Sequence, residues 1–419
     1  MFVVVLVAVA GIDVYGYMRM RSNASSSGSS VSGASSTASG GETVAGGSSE
    51  PGTGSAAASS SSKTDSEQTS ALPASWNDSG IFSAYYAKAY QKLSTMSLSE
   101  KVGQMFLARC PQENAVSSIQ ACHLGGFVLF ESDFKGKNTN QVVSTIAAYQ
   151  KASSIPMIMA VDEEGGTVVR ISGNSKLSAH KFQSPQQVYA EGGLKAVSAD
   201  TLKKAQLLKK LGLNLNLAPV SDVSLSPSDY IYSRTLGRSA QATGQYVAAV
   251  VKAMRESGLS STLKHFPGYG NNLNTHTGIA IDNRPYSTFV NSDFIPFEQG
   301  IKAGAESILV SHNIVQCMQK GVPASLSPAV HRILRNDLHF TGVIMTDDLS
   351  MGAIKDYTDN QDPAVAAVLA GNDMLMTDDF QQGYDAVLKA VNAGVISKEQ
   401  IDRAVFRILA WKYARRILV

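Results

Sequence analysis

Cysteine is scarce in this chain, with Cys110, Cys122 and Cys317 the only three in 419 residues. They fall in no metal-binding spacing, so the cysteines themselves give no sign of a structural metal site. An odd count also excludes a complete disulfide framework. A Cys110–Cys122 bridge stays open, while buried free thiols are the expected state. Charge is sparse as well: charged residues make up 17% of the chain and the formal net charge is +2. Such a balance gives no electrostatic case for nucleic acid. The N-terminal apolar run, residues 2–12, is short for a bilayer-spanning helix, and Asp13 interrupts it.

What surrounds that run points outward from the cell. Residues 1–21 lack a cationic n-region and a small-residue cleavage site, but Arg19 and Arg21 suit the flank of a signal-anchor. Residues 22–71 are nearly all Ser, Gly, Ala and Thr and cannot offset the entropy of ordering. As a flexible coil that linker would reach roughly 40 Å. The expectation is an exported domain, secreted or held at a membrane only through its N-terminal segment. A misassigned start ahead of a disordered N-terminus is the alternative.

The remainder, residues 72–419, repeats one pattern eight times: a short apolar run that stops on polar, mostly ionisable residues. The runs are VGQMFLARC (102–110), GGFVLFESD (125–133), PMIMAVDEE (156–164), NLNLAPVSDV (214–223), TLKHFPG (262–268), SILVSHN (307–313), GVIMTDDLS (342–350) and NDMLMTDD (372–379). Apolar runs without alternation are what parallel strands covered on both faces look like. Each is separated from the next by room for a helix, and chemistry gathers at the C-terminal ends. The expected fold class is therefore α/β, a TIM-like (β/α)8 barrel in a single catalytic domain. Ser97 to Glu100 reads as a capping box, residues 239–257 as a helix stopped by Gly258, and Ser397 as the start of a last helix through Trp411 and Arg416. Residues 79–96 read as a helix laid across the barrel base.

Three segments carry candidate chemistry. In Lys264-His265-Phe266-Pro267-Gly268 a strand ends on a Lys–His pair, and the Gly/Asn-rich loop beyond it carries His276. A solvated loop and a satisfied core histidine would look the same. In Thr346-Asp347-Asp348 one carboxylate should face the barrel mouth, where it suits attack on an anomeric carbon. Asp348 also suits the cap of the following helix. In residues 161–170, Asp162 suits acceptance from sugar hydroxyls and Arg170 adds a donor fork.

Together these segments resemble family 3 of the glycoside hydrolases, in its β-N-acetylglucosaminidase branch. The resemblance runs from about Met96 to the C-terminus through KVGQMF (101–106), LAPVSDV (217–223), SRTLGRS (233–239), KHFPGYG (264–270), PASLS (323–327), GVIMTDDLSM (342–351) and AGNDML (370–375). It implies a TIM-like barrel, no metal or cofactor, and removal of terminal β-linked N-acetylglucosamine by double displacement. By that resemblance Asp347 is the nucleophile and His276 the acid/base. Asp162, Arg170, Arg234, Lys264 and His265 take the sugar-binding positions. The implied partner is an amino-sugar oligosaccharide or muropeptide, met by a monomer.

One position departs from the pattern. The family loop usually has an Asp two residues before the acid/base His, and this chain has Asn274. An Asn carbonyl can fix an imidazole tautomer but supplies no negative charge, so a folded but slow enzyme is expected. A sugar-binding pseudoenzyme is the alternative from another class, and a β-glucosidase is the alternative within the family. A metal-dependent hydrolase using His265, His276, His312 and Asp347 is disfavoured, because the first strand ends Ala108-Arg109-Cys110 with no His-x-His pair. Asp222 and His312 read as structural hydrogen-bonders.

Overall fold

All eight apolar runs become strands of one parallel sheet, and all but the fifth strand are shorter than their runs. In the computed structural model these are β1 (Phe106–Arg109), β2 (Gly126–Leu129), β3 (Ile158–Val161), β4 (Leu215–Asn216) and β5 (Ser260–Phe266). After β6 (Ile281–Asp282) come β7 (Ser307–Val310), β8 (Ile314–Val315), β9 (Val343–Thr346) and β10 (Leu375–Thr377). The structure describes residues 72–419 apart from 273, 276, 277, 356 and 359–361. The apolar leader, the Ser/Gly-rich linker and His276 thus lie outside the described residues.

The sheet order is β10-β1-β2-β3-β4-β5-β7-β9, and a parallel bridge from Met345 to Met374 brings its two edges together. The result is a nearly closed eight-stranded barrel with flanking helices. β6 and β8 pair with each other in a separate two-stranded sheet. Most strands are short because the ionisable residues ending their runs leave the sheet for the loops, whereas Lys264 and His265 stay within β5. The apolar residues behind them are buried on both faces, for example Val128, Ile158 and Ile344.

Local signals set the helix bounds. The Ser97 hydroxyl accepts from the Glu100 amide while the Glu100 carboxylate accepts from the Ser97 amide, starting helix Leu98–Gln104. Ser239 caps helix Ala240–Ser257, and Gly258 ends it in the left-handed region. The last helix is Lys398–Ala414 and stops short of Arg416.

That last helix, not residues 79–96, closes the base. Lys412 donates to the Gln104 side chain and to the Gly125 carbonyl, which precede β1 and β2. Trp411 Nε1 donates to Ser260 and Glu306, at the starts of β5 and β7. The expected helix over 79–96 is reduced to Tyr86–Ser94 after a 3₁₀ turn, Ser83–Tyr85. It packs one layer further out, its Tyr86 ring 4.8 Å from Phe406 of the last helix. Cys110 and Cys122 are buried free thiols, and Cys122 is the last residue of helix Ala115–Cys122.

Candidate active site

The ends of β3 and β5 meet in a buried chain of charges. Lys264 Nζ lies 2.5 Å from Asp162 Oδ1 and 2.6 Å from Glu164 Oε1. Glu164 in turn receives a fork from Arg234, with Nε 3.0 Å from Oε2 and Nη2 2.7 Å from Oε1. Burial alone would raise the Glu164 carboxyl, but Arg234 and Lys264 outweigh it and hold it far below the usual carboxylate range. Burial would likewise lower Lys264, yet Asp162 and then Glu164 keep it raised and charged. Glu164, Lys264 and Arg234 are therefore held in their charged forms although all three are buried or nearly so. Each is held by partners from other loops.

His265 extends the chain. Arg234 Nη2 is 3.2 Å from His265 Nε2, and His265 Nδ1 is 2.8 Å from Asp222 Oδ2. A guanidinium can only donate, so Nε2 accepts and Nδ1 carries the proton toward Asp222. Asp222 also accepts from the backbone amides of His265 and Tyr269, at 3.1 and 2.7 Å. The peptide joining Lys264 to His265 is cis. The Tyr269 hydroxyl pairs with that of Thr275, both buried. Burial and then the nearby Asp347 charge push the Tyr269 phenol well above its usual value.

Asp347 follows β9 directly. Its amide donates to Val310 of β7 at 2.9 Å, and its Oδ1 accepts from the Asp348 amide at 2.9 Å. Asp347 is half-buried and close enough to Tyr269 for its charge to act on the phenol, and Tyr269 stands edge-on to His265 at 5.2 Å. Asp348 turns aside: its Oδ1 accepts from the Ser350 amide at 3.0 Å and from the Ser350 hydroxyl. Burial raises its carboxyl. His312 Nε2 donates to the Asp348 carbonyl at 2.8 Å, while its Nδ1 pairs with the Ser325 hydroxyl at 2.7 Å. The adjacent carboxylates therefore differ: Asp347 accepts from the Asp348 amide and acts on the Tyr269 phenol, while Asp348 is turned into its own loop by Ser350.

The loop after β5 is anchored at its root. Gly268 has φ 120, and a Cβ there would overlap the Asp293 carboxylate, so glycine is required. Arg284 donates to the Gly268 carbonyl at 3.1 Å and forks onto Asp282 and Asp293. Asn272 Nδ2 reaches Asp282 Oδ2 at 2.6 Å, joining the two feet of the loop. Asn274 is half-buried in this loop, beside the buried Thr275. His276 lies outside the described residues.

Arg170 reaches the same side of the barrel on a turn held by Glu163. The buried Glu163 carboxylate accepts from the amides of Arg170 and Ile171, both at 2.8 Å, and of Ser172 at 3.2 Å. Arg170 packs on the Phe130 ring at 5.6 Å. Its Nε is buried without a hydrogen-bond partner among the described residues.

Of the residues expected from sequence, Asp162, Arg234, Lys264 and His265 thus stand in one hydrogen-bonded chain, and Asp347 lies near its Tyr269 end. Glu163, Glu164 and Asp222 stand outside the expected site residues, yet Glu163 holds the Arg170 turn, Glu164 pairs with Lys264 and Arg234, and Asp222 holds His265, against which Tyr269 stands edge-on. The run Asp162-Glu163-Glu164 was a visible signal for the first two. Nothing local distinguishes Asp222 from an ordinary strand-end carboxylate.

Residues 97–411 match the model of the glycosyl hydrolase family 3 N-terminal domain. A protein named beta-hexosaminidase from Xanthomonas campestris pv. campestris is 34% identical over 235 residues, 55% of this chain and 70% of that protein. The solved family 3 beta-N-acetylglucosaminidase from a Paenibacillus species superposes with TM-score 0.71 at 28% identity. That alignment covers 77% of this chain but spans only 63% of the Paenibacillus chain. A beta-N-acetylhexosaminidase from Beutenbergia cavernae aligns at 27% identity and TM-score 0.68, over 76% of this chain and 99% of that one.

Proposed function

Because the chain belongs to glycosyl hydrolase family 3, we propose that it is a retaining exo-β-N-acetylglucosaminidase. Its substrates are terminal β-linked N-acetylglucosamine residues of cell-wall-derived or other amino-sugar oligosaccharides. The observation that carries this reading is the linked cluster Asp162–Lys264–Glu164–Arg234–His265, with the Asp347 carboxylate near its Tyr269 end. Such a cluster offers fixed donors and acceptors to the hydroxyls of one sugar and a carboxylate for its anomeric carbon.

In the first step an Asp347 oxygen bonds to C1 as the bond from C1 to the leaving oxygen breaks. His276 gives that oxygen its proton. In the second, His276 takes a proton from water, whose oxygen bonds to C1 while the Asp347 ester breaks. Lys264 and Arg234 would hold sugar oxygens with charge that Glu164 and Asp162 keep in place. His265, with its proton on Nδ1, offers Nε2 to the Arg234 fork and keeps that guanidinium oriented. The scheme needs a single chain, since every group in it belongs to one barrel. The apolar leader and Ser/Gly linker support an exported setting, which protease accessibility on intact cells would test.

The test is release of p-nitrophenol from its N-acetylglucosaminide, together with trapping by an activated fluoro-sugar. The expected result is a covalent sugar on the peptide containing Asp347. Release from the glucoside but not the N-acetylglucosaminide would favour the β-glucosidase reading. The neutral Asn274 supports a second reading, a sugar-binding protein without turnover. Binding of N-acetylglucosamine with no hydrolysis over long incubation would select it.

A further inference from the structure

The loop that carries Arg234 also carries an aromatic ring that the cluster does not use. Tyr230 is 38% exposed, and its hydroxyl has no hydrogen-bond partner among the described residues. Its ring centroid lies 6.0 Å from that of Tyr269, and Tyr269 stands 5.2 Å from the His265 imidazole. Since His265 and Tyr269 are buried, the three rings form a series that leads from the imidazole behind Arg234 to solvent. The Tyr230 phenol is also near enough to Arg234 to act on its guanidinium.

The chain around this ring is ordered by its own contacts. Ser224 donates to the Asp229 carboxylate at 2.7 Å, and the Tyr232 amide donates to the Asp229 carbonyl at 3.1 Å. Gln186 holds the Tyr232 carbonyl at 2.8 Å. Ile231 is buried against Val220 and Tyr269 in a small apolar cluster of its own. Tyr230 is thus fixed between held neighbours, with more than a third of its surface left to water. A rigid aromatic beside polar groups suits an amphipathic ligand, because its face covers C–H groups while the hydroxyls stay wet.

We propose that Tyr230 is the platform of a leaving-group subsite, which takes the apolar face of the pyranose joined to the cleaved N-acetylglucosamine. This rests on the reading above, in which one sugar fills the cluster of Asp162, Lys264, Arg234 and His265. That cluster is buried, so the next ring of a bound oligosaccharide must lie on the solvent side. Tyr230 occupies that side next to Arg234. The subsite selects for a second sugar ring and is indifferent to a small leaving group.

The experiment compares wild type with Tyr230→Ala, Tyr230→Phe and Tyr230→Trp on N,N′-diacetylchitobiose and on N-acetylglucosaminyl azide. Binding of a thio-linked, non-hydrolysable chitobiose and of free N-acetylglucosamine is measured alongside. Tyr230→Ala should raise KM for chitobiose, and weaken the thio-disaccharide, about five- to tenfold. The azide and free N-acetylglucosamine should stay within twofold. Tyr230→Phe should match wild type and Tyr230→Trp should bind the disaccharide at least as well. Equal losses on both substrates with Tyr230→Ala, or an equal loss with Tyr230→Phe, would overturn the stacking role. A wild type that neither binds nor cleaves N-acetylglucosaminides would instead sink the reading of the site itself. An active wild type with an indifferent Tyr230→Ala would sink only the subsite.

Discussion

Arg234 Nη2 sits 3.2 Å from His265 Nε2 while Asp222 holds the opposite ring nitrogen at 2.8 Å. The imidazole is thereby locked in one tautomer between a guanidinium and a carboxylate. Replacing Asp222 by Ala leaves the Nδ1–H and two backbone amides without their acceptor. The expected cost is about 2–4 kcal/mol of stability, from loss of a charged acceptor in the interior. Urea unfolding measures it, and KM for the N-acetylglucosaminide should rise with the loss of ring orientation.

Glu164 is the hub of the ion-pair chain, and Glu164→Gln leaves Lys264 and Arg234 short of one negative charge. A drop of about 3–5 kcal/mol is expected. The variant also has a pH signature. The folded Glu164 carboxyl is held below its unfolded value, so its stabilisation is complete above about pH 4.5 and is lost as pH falls through the lower folded value. Unfolding curves between pH 3 and 7 should show a shallower acid limb for Glu164→Gln than for wild type.

Asp347→Asn should reduce turnover by a factor on the order of a thousand or more while leaving the melting temperature nearly unchanged. Asn274→Asp, in contrast, should raise kcat by restoring a negative charge in the loop. Steady-state assays on the aryl glycoside measure both. Equal or lower turnover in Asn274→Asp would show that this loop works without a charged dyad.

At the opposite end of the barrel, burial pushes the Lys412 ammonium down to about 7. Between roughly pH 7 and 10.5 the unfolded chain holds a proton there that the folded chain lacks. Stability should rise with pH across that window, by about 1.4 kcal/mol per unit at most. Lys412→Met should remove this slope. It should also cost stability at high pH, because the Gln104 side chain and the Gly125 carbonyl lose a donor. Denaturant titrations from pH 7 to 9.5 separate the two effects.

Much of this molecule could be read along the chain. The eight apolar runs gave the strand number and order of the barrel, because a strand buried on both faces needs apolar residues throughout. Ser97, Ser239, Gly258 and Ser397 marked helix ends, since capping is settled within about one turn. Asp162, Lys264, His265 and Asp347 were legible as strand-end residues for the same local reason. Residues 79–96 misled, since their pattern showed an apolar face without saying which layer it would cover.

What only the folded barrel decided is which charge meets which. Lys264 finds Asp162 across 102 residues, Arg234 finds Glu164 across 70, and His265 finds Asp222 across 43. No local preference encodes those pairings. They arise because closing the sheet brings the ends of β3, β4 and β5 side by side. A charge taken out of water there must find its counter-charge on a neighbouring strand or loop.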